Sequence, residues 1–311
     1  MSLTGHFFAI CCTLCWAVTA VSFAYAGRRV GSLPVNIIRL VMGVAFFALI
    51  SAVRFGTLWP ADATPHQWLW MSISGFIGFF LGDLFLFRAF LLIGTRLSML
   101  MMTLAPLFTS LLAWLMLGEA LSPAGLLGMA LTMGGIALVV GERGGAKDEQ
   151  APVSKTKGLL FALLGAMGQG SGAVLAKLGM ARSFEELPAM LAGDAPPLDA
   201  FQATQIRVTI AMLSFIVLVT LLRSHRRVLK AHTDWRAMIA LLIGAFLGPF
   251  LGATLFNKSL QYVPSGITQT IVATVPIVIM PLTLWIEKDQ ISRRAVLGSA
   301  IAVSGIFLLC H

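Results

Sequence analysis

Charge is what this sequence has least of. Only 11% of its 311 residues are Asp, Glu, Lys or Arg, 58% are hydrophobic, and the mean hydropathy is +0.90. A soluble globular domain carries about 25% charged residues, so the scarcity excludes a water-soluble fold and leaves an integral membrane protein. Segments of about ten residues with alternating polarity, which would mark a transmembrane barrel, are lacking too. The apolar runs are instead about 20 residues long, the length a helix needs to cross a ~30 Å hydrocarbon core. Cysteine is sparse: Cys11, Cys12, Cys15 and Cys310 all lie inside apolar runs. Cys12 and Cys15 form a CxxC, but no second pair or histidine cluster completes a metal site, so neither metal nor cofactor is expected. His6, His66, His225, His232 and His311 fall at run ends or between runs, and no HExxH or paired acidic motif occurs. That argues against an intramembrane enzyme. A cleavable signal peptide is not expected either, because the first apolar run, from about Gly5 to Ala26, is too long for one and has no basic segment before it.

Positive charge is in excess, with a formal net charge of +9. The basic residues sit in short loops between apolar runs, where they anchor topology; nucleic acid is not an expected partner. Ten spans are predicted, at roughly 5–26, 34–53, 68–92, 96–117, 122–141, 157–180, 202–222, 235–260, 265–286 and 292–310. The polar stretch 142–157, with Gly144-Gly145, Lys147-Asp148-Glu149 and Pro152, reads as a solvated linker between residues 1–141 and 158–311.

The two sides of that linker repeat each other. Shifted by 170 positions, Phe76, Gly78, Phe80, Leu81 and Gly82 fall on Phe246, Gly248, Phe250, Leu251 and Gly252, and Pro106 falls on Pro276. Gly128 likewise falls on Gly298, and Gly135-Ile136 on Gly305-Ile306. Earlier matches, Gly5 with Gly158 and Ile38-Arg39 with Ile206-Arg207, run at offsets of 153 and 168, so the second copy has a longer loop after its first helix. That loop, Ser183 to Ala200, is acidic and holds Pro196-Pro197; it reads as a lid or as a solvated insertion.

Five spans per half is an odd number, so the halves enter the membrane from opposite sides. The loops agree. One set carries Arg28, Arg29, Arg96, Arg143, Lys147, Lys155, Lys157, Arg223, Arg226, Arg227, Lys230, Arg236, Lys288, Arg293 and Arg294; the other has Arg54 and Arg182 and few more. The positive-inside rule puts the first set, with the linker, in the cytoplasm and both termini on the non-cytoplasmic side.

The repeated pattern resembles the EamA family of the drug/metabolite transporter superfamily. The residues that carry it are Pro106, Trp114-Leu115-Met116-Leu117-Gly118-Glu119, Ser122, Gly128 and Gly135-Ile136. In the second copy they are Pro276, Leu284-Trp285, Glu287, Asp289, Ser292, Gly298 and Gly305-Ile306. Glu287 and Asp289 flank the place where the first copy has its single acid. The resemblance covers nearly the whole chain. It implies an all-α membrane protein of ten transmembrane helices, two inverted five-helix repeats around a central cavity.

Ionisable groups inside spans are costly and face a bundle interior. Asp83 lies mid-depth in the third span, Arg88 nearer its basic end, Lys177 late in the sixth and Lys258 late in the eighth. Arg88 and Lys258 are repeat partners, so inversion would set them at opposite mouths of a pathway, attracting an anionic group; snorkelling to the headgroups is the other reading. Asp83 is too short to snorkel. It pairs with Arg88 or Lys177, or takes up a coupling proton. Arg88 is five residues on, about 140° around the helix, a poor alignment for a pair. Arg39 and Arg207, nearer helix ends, read as structural or lipid contacts. Trp16, Gln169, Ser171, Asn257, Gln261, Tyr262, Thr268 and Gln269 are candidate pocket residues. Around Gln169-Gly170-Ser171-Gly172, cavity lining competes with hydrogen bonding between helices. Gly78, Gly82, Pro106, Gly248, Pro249, Gly252 and Pro276 are candidate hinges, with close helix packing as the alternative.

The expected function is a secondary carrier exporting a small metabolite, such as an amino acid or related carboxylate, by alternating access. A proton or the substrate's own gradient would drive it. A sugar-phosphate, nucleotide-sugar or lipid-linked sugar is the alternative cargo; a passive channel or an enzyme is a more distant alternative. The expected setting is a bacterial inner membrane, as monomer or homodimer, with lipid and a small-molecule substrate as partners.

Overall fold

The computed structural model describes residues 3–141, 155–279 and 293–310, and every element in them is helical. The first half holds α1 (Leu3–Val30), α2 (Ser32–Phe55), α3 (Pro65–Ser74), a π-helical stretch (Gly75–Gly82) that leads into α4 (Asp83–Met102), α5 (Ala105–Leu117) and α6 (Pro123–Gly141). The second half holds α7 (Lys155–Gly179), a short α8 (Leu187–Ala192), α9 (Ala200–Leu221), α10 (His225–Ala231) and α11 (Trp235–Ala245). A second π-helical stretch (Phe246–Gly252) leads into α12 (Ala253–Leu260), followed by α13 (Ser265–Val272) and α14 (Arg293–Cys310). Among the described residues, seven helices are long and apolar enough to cross a membrane: Leu3–Val30, Ser32–Phe55, Pro65–Ala89, Ser98–Leu117, Thr156–Gly179, Ala200–Leu221 and Trp235–Leu260. Pro123–Val139, Ser265–Ile279 and Val296–Leu309 are shorter apolar helices. Large apolar side chains such as Phe7, Leu14, Leu111, Trp114, Val217, Leu221 and Phe307 are exposed around the bundle, a surface that suits lipid.

Local chemistry sets the helix ends. Thr64 accepts a hydrogen bond from the Gln67 N–H while the Gln67 side chain accepts from the Thr64 N–H, with Pro65 in the first turn of α3. Asp199 and Asp234 cap α9 and α11 through the N–H groups of Phe201 and Ala237. Gly56 and Gly118 close α2 and α5 with φ of 70° and 67°, a left-handed geometry that favours glycine. Pro249 lies inside the second π-helical stretch, where its missing N–H interrupts the ordinary ladder.

One boundary differs from the expected one. The chain was expected to break near residues 93–95, yet α4 runs on to Met102 and turns at Thr103-Leu104. In the second half the chain does leave the helix there, between α12 and α13. Position 264 is proline, whereas its repeat partner 94 is glycine. Proline removes an N–H and disfavours helical geometry in the residue before it; glycine imposes neither constraint.

The halves interlock. α6 and α14 cross antiparallel, Gly128 against Gly305 and Gly135 against Gly298. A Cβ on Gly128 would stand 2.7 Å from the Gly305 oxygen, and one on Gly298 2.7 Å from the Gly135 oxygen. The Thr132 hydroxyl donates to the Ala302 carbonyl, its repeat position, at 3.3 Å. In each half the helix that contains the π-helical stretch lies against the first helix of the other half. Gly78 and Gly82 meet Gly172 and Gly168 of α7, while Gly248 and Gly252 meet Thr19 and Trp16 of α1. Between the halves sits an aromatic core of Phe23, Phe47, Phe80, Phe201, Phe215 and Phe250.

Candidate functional site

A polar layer crosses the middle of this apolar bundle. Asp83, at the start of α4, forms an ion pair through Oδ2 with Arg39 Nη2 of α2, and both are buried. Arg39 Nη2 also donates to Asn36 Oδ1 at 2.9 Å, and its guanidinium lies over the rings of Phe23 and Phe87. Gln169 Nε2 of α7 donates to Asp83 Oδ1 at 3.0 Å and to the Gly78 carbonyl at 3.3 Å. On the far side of Gly78, Arg207 Nη1 of α9 donates to Asn257 Oδ1 at 2.7 Å, and Asn257 Nδ2 donates to Thr204 Oγ1 at 2.8 Å. The sequence offered Arg88 or Lys177 as the partner of Asp83; the partner is Arg39. α2 lies one helix away and aims its long side chain at the acid, while Arg88 leaves α4 on another face. The lipid-contact reading of Arg39 and Arg207 is corrected too, since they are only 7% and 4% exposed.

From Asn36 a cavity of about 940 Å³ extends to one end of the bundle. Its walls include Phe85, Phe87, Phe161, Phe215, Leu33, Leu84 and Leu218. Its mouth holds Arg88, Arg223, Arg226 and Arg227, all exposed. Among the described residues, every charged one lining it is an arginine. The same end holds the surface ion pair between Arg29 Nε and Asp234 Oδ2, 2.7 Å apart, which ties α1 to the start of α11. That guanidinium, with the Ala237 N–H, holds the Asp234 carboxyl below its ordinary value.

The opposite end is shut by polar contacts. Lys177 Nζ of α7 pairs with Glu119 Oε1, in the turn after α5, at 2.5 Å and donates to the Val263 carbonyl at 2.8 Å. Glu119 Oε2 accepts from the Ser265 N–H, the first residue of α13, at 2.7 Å. Charge there suits a helix N-terminus. Gln205 Nε2 reaches the Leu58 carbonyl, Gln67 Nε2 the Met180 carbonyl and Gln261 Nε2 the Leu198 carbonyl. The long acidic loop docks on this end: the Leu198 N–H bonds the Met180 carbonyl, and Leu187 of α8 packs with Leu117 and Leu178.

The structure thus sorts the candidate residues into groups. Arg88 lines the cavity. Asp83, Gln169 and Asn257 join the central layer, with Gln169 bonding across helices. Lys177 and Gln261 sit at the shut end. Lys258, half-buried, lies there too, 5.4 Å from the centroid of the half-exposed Tyr262 ring. Trp16 stacks on Phe256 against Gly252. The Thr268 hydroxyl meets that of Ser259 at 2.8 Å, Gln269 is buried, and Ser171 is half-buried near Gln169. Gly78, Gly82, Gly248, Pro249 and Gly252 all fall in the π-helical stretches. Pro106 and Pro276 follow equivalent turns at residues 103–104 and 273–274. The linker residues 142–154, and Leu284, Trp285, Glu287, Lys288, Asp289 and Ser292, lie outside the described residues. Sequence reasoning missed Asn36 and Glu119, and it took Arg223, Arg226 and Arg227 for topology anchors alone. The density of basic residues after α9 was the available signal.

Two stretches of the chain, residues 3–141 and 156–310, match the EamA-like transporter family. The chain belongs to this family. As an EamA-like chain of the drug/metabolite transporter superfamily it is a multi-pass membrane transporter, with a lipid bilayer around it and a small molecule as its cargo; the family's members are transporters rather than enzymes. None of the curated proteins searched matches it. Among solved structures, one described only as "Crystal structure of protein" is similar with a TM-score of 0.70 at 16% identity, covering 99% of this chain and 96% of its own. At that identity the likeness speaks for the fold alone.

Proposed function

We propose that this EamA-like chain is a ten-helix secondary carrier whose two five-helix halves stand inverted, and that it exports a small metabolite with a carboxylate and an apolar body, such as an amino acid or related carboxylate. The cavity carries this reading. Among the described residues it is walled by phenylalanines, its charged lining is all arginine, it is open at the basic end, and it is backed by an opposite end shut through Lys177 and Glu119. A substrate drawn to the guanidiniums would seat its apolar body among the rings. The basic loops support a cytoplasmic mouth and outward termini. The antiparallel crossing of α6 and α14 and the reciprocal packing of third spans on first helices support inversion. Asp83 is the candidate proton carrier, since a buried carboxylate whose salt bridge opens readily takes a proton.

The test is flux into inside-out vesicles, with and without an imposed pH gradient. Radiolabelled apolar-tailed carboxylates are compared with cationic drugs and phosphorylated sugars. Carboxylate uptake that falls about tenfold in an Arg88→Gln/Arg226→Gln variant is expected. Uptake of cations alone would sink the reading, and uptake of phosphorylated sugars alone would move it to the alternative cargo.

A further inference from the structure

Two equivalent buried arginines are treated unequally. Arg39 and Arg207 are repeat partners at an offset of 168, but the two positions that compensate the first have been altered at the second. Asn36 becomes Thr204, and Asp83 becomes Ala253. Arg39 therefore has its carboxylate, whereas among the described residues no acid pairs with Arg207, which is 4% exposed. Nη1 of Arg207 is engaged by Asn257. Nε is buried with no hydrogen-bond partner among the described residues. Nη2 faces Gly78, where a Cβ would stand 3.5 Å from it. The free edge is thus the Nε–Nη2 side of the fork, the side a carboxylate takes with two parallel hydrogen bonds. The ring of Phe79 covers the guanidinium face at 4.8 Å.

We propose that Arg207 is the mid-membrane docking point for the carboxylate of the transported molecule, which supplies to its Nε–Nη2 edge the negative charge that Asp83 supplies to Arg39. This rests on the reading of the chain as a carrier of organic anions. A buried cation without a counter-charge is strongly disfavoured, so the layer gains from an incoming anion. Gly78 lies against the edge and Phe79 against the face, and Gln169 ties the Gly78 carbonyl to Asp83. The cover is therefore coupled to the Arg39 pair, and the site opens when the π-helical stretch moves.

The full-length protein would be tested in detergent for thermal stabilisation by benzoate, phenylacetate, phenylpyruvate and hexanoate, and in proteoliposomes for their flux. Phenylacetamide and chloride are the controls. Wild type should be stabilised by a carboxylate and not by the amide. Arg207→Gln should lose that stabilisation and at least tenfold in flux. Asn257→Asp, which puts a fixed carboxylate where Oδ1 lies 2.7 Å from Nη1, should raise the ligand-free Tm and abolish the ligand shift. It keeps the test decisive if Arg207→Gln fails to fold. Wild-type flux and ligand shift in Asn257→Asp would overturn the Arg207 assignment while leaving the carrier reading intact. A shift from chloride equal to that from every carboxylate would overturn the assignment to a carboxylate. A wild type that moves no organic anion would overturn the carrier reading itself.

Discussion

The side chains of Asp83 and Arg39 are about nine-tenths buried, so each depends on the other for its charge. Removing one partner of a buried pair leaves an uncompensated ion and typically removes about 3–5 kcal/mol. Asp83→Asn should therefore lower unfolding stability in detergent by that order. The double variant Arg39→Met/Asp83→Leu, which buries no charge, should recover most of it; a double variant as unstable as the single one would refute the pairing argument. The Arg29–Asp234 pair behaves differently because it is exposed. Its carboxyl is held below its ordinary value, so its contribution is fully present above the unfolded value of about 4 and is lost as pH falls through the lower folded one. The Tm difference between wild type and Asp234→Asn should be constant from pH 7 to 5 and shrink on further acidification; a difference that grows on acidification would contradict this. Asp83 could be singled out from the sequence because a short acid in mid-membrane has few excuses. Its partner could not. A long cation two turns into a span reads equally well as a snorkelling side chain until α1 and α4 are seen packed around it.

Helix by helix, glycine decides how closely the halves approach. A Cβ on Gly172 would stand 2.7 Å from the Gly78 Cα, a backbone atom with no rotamer to change. Gly172→Ala should thus force α7 away from the π-helical stretch, at about 1–3 kcal/mol. Gly27, late in α1, has nothing within 4 Å of its missing Cβ, so Gly27→Ala should stabilise the protein by about 0.5–1 kcal/mol through helix propensity. Thermal denaturation of both variants checks the contrast, and equal effects would sink it. The repeat itself pointed to Gly78, Gly82, Gly248 and Gly252, since apolar helices have few other reasons to keep glycine at four-residue spacing. The π-helical geometry was not legible, because it depends on where the opposing helix forces the ladder to widen. The unbroken run of α4 to Met102 was also hidden, because apolar periodicity continues through a break and through a helix alike.

At the scale of the whole molecule, the described residues leave one end open and the other shut, and the two differ in chemistry. Lys177 is held by Glu119 and the Val263 carbonyl, and Glu119 by the Ser265 N–H, so one cluster joins the turn after α5, α7 and the start of α13. Opening this end would return both charges to water. Closing it buries them, which is favourable only while they remain paired. Lys177→Met therefore leaves Glu119 buried alone in the shut form and should shift the population toward the form open at this end. The readout is a cysteine at position 32, on the cavity wall, in a background lacking Cys11, Cys12, Cys15 and Cys310. In Ser32→Cys protein a membrane-impermeant maleimide applied at the basic end should react readily. Adding Lys177→Met should slow the reaction several-fold, and adding Glu119→Gln to that variant should restore the rate, because the shut end then buries no charge. If the rate stays the same in all three proteins, Lys177 and Glu119 are a static brace rather than a gate. If Lys177→Met alone slows it and the second substitution fails to restore it, the effect belongs to lost packing of the lysine stem against α13, not to charge.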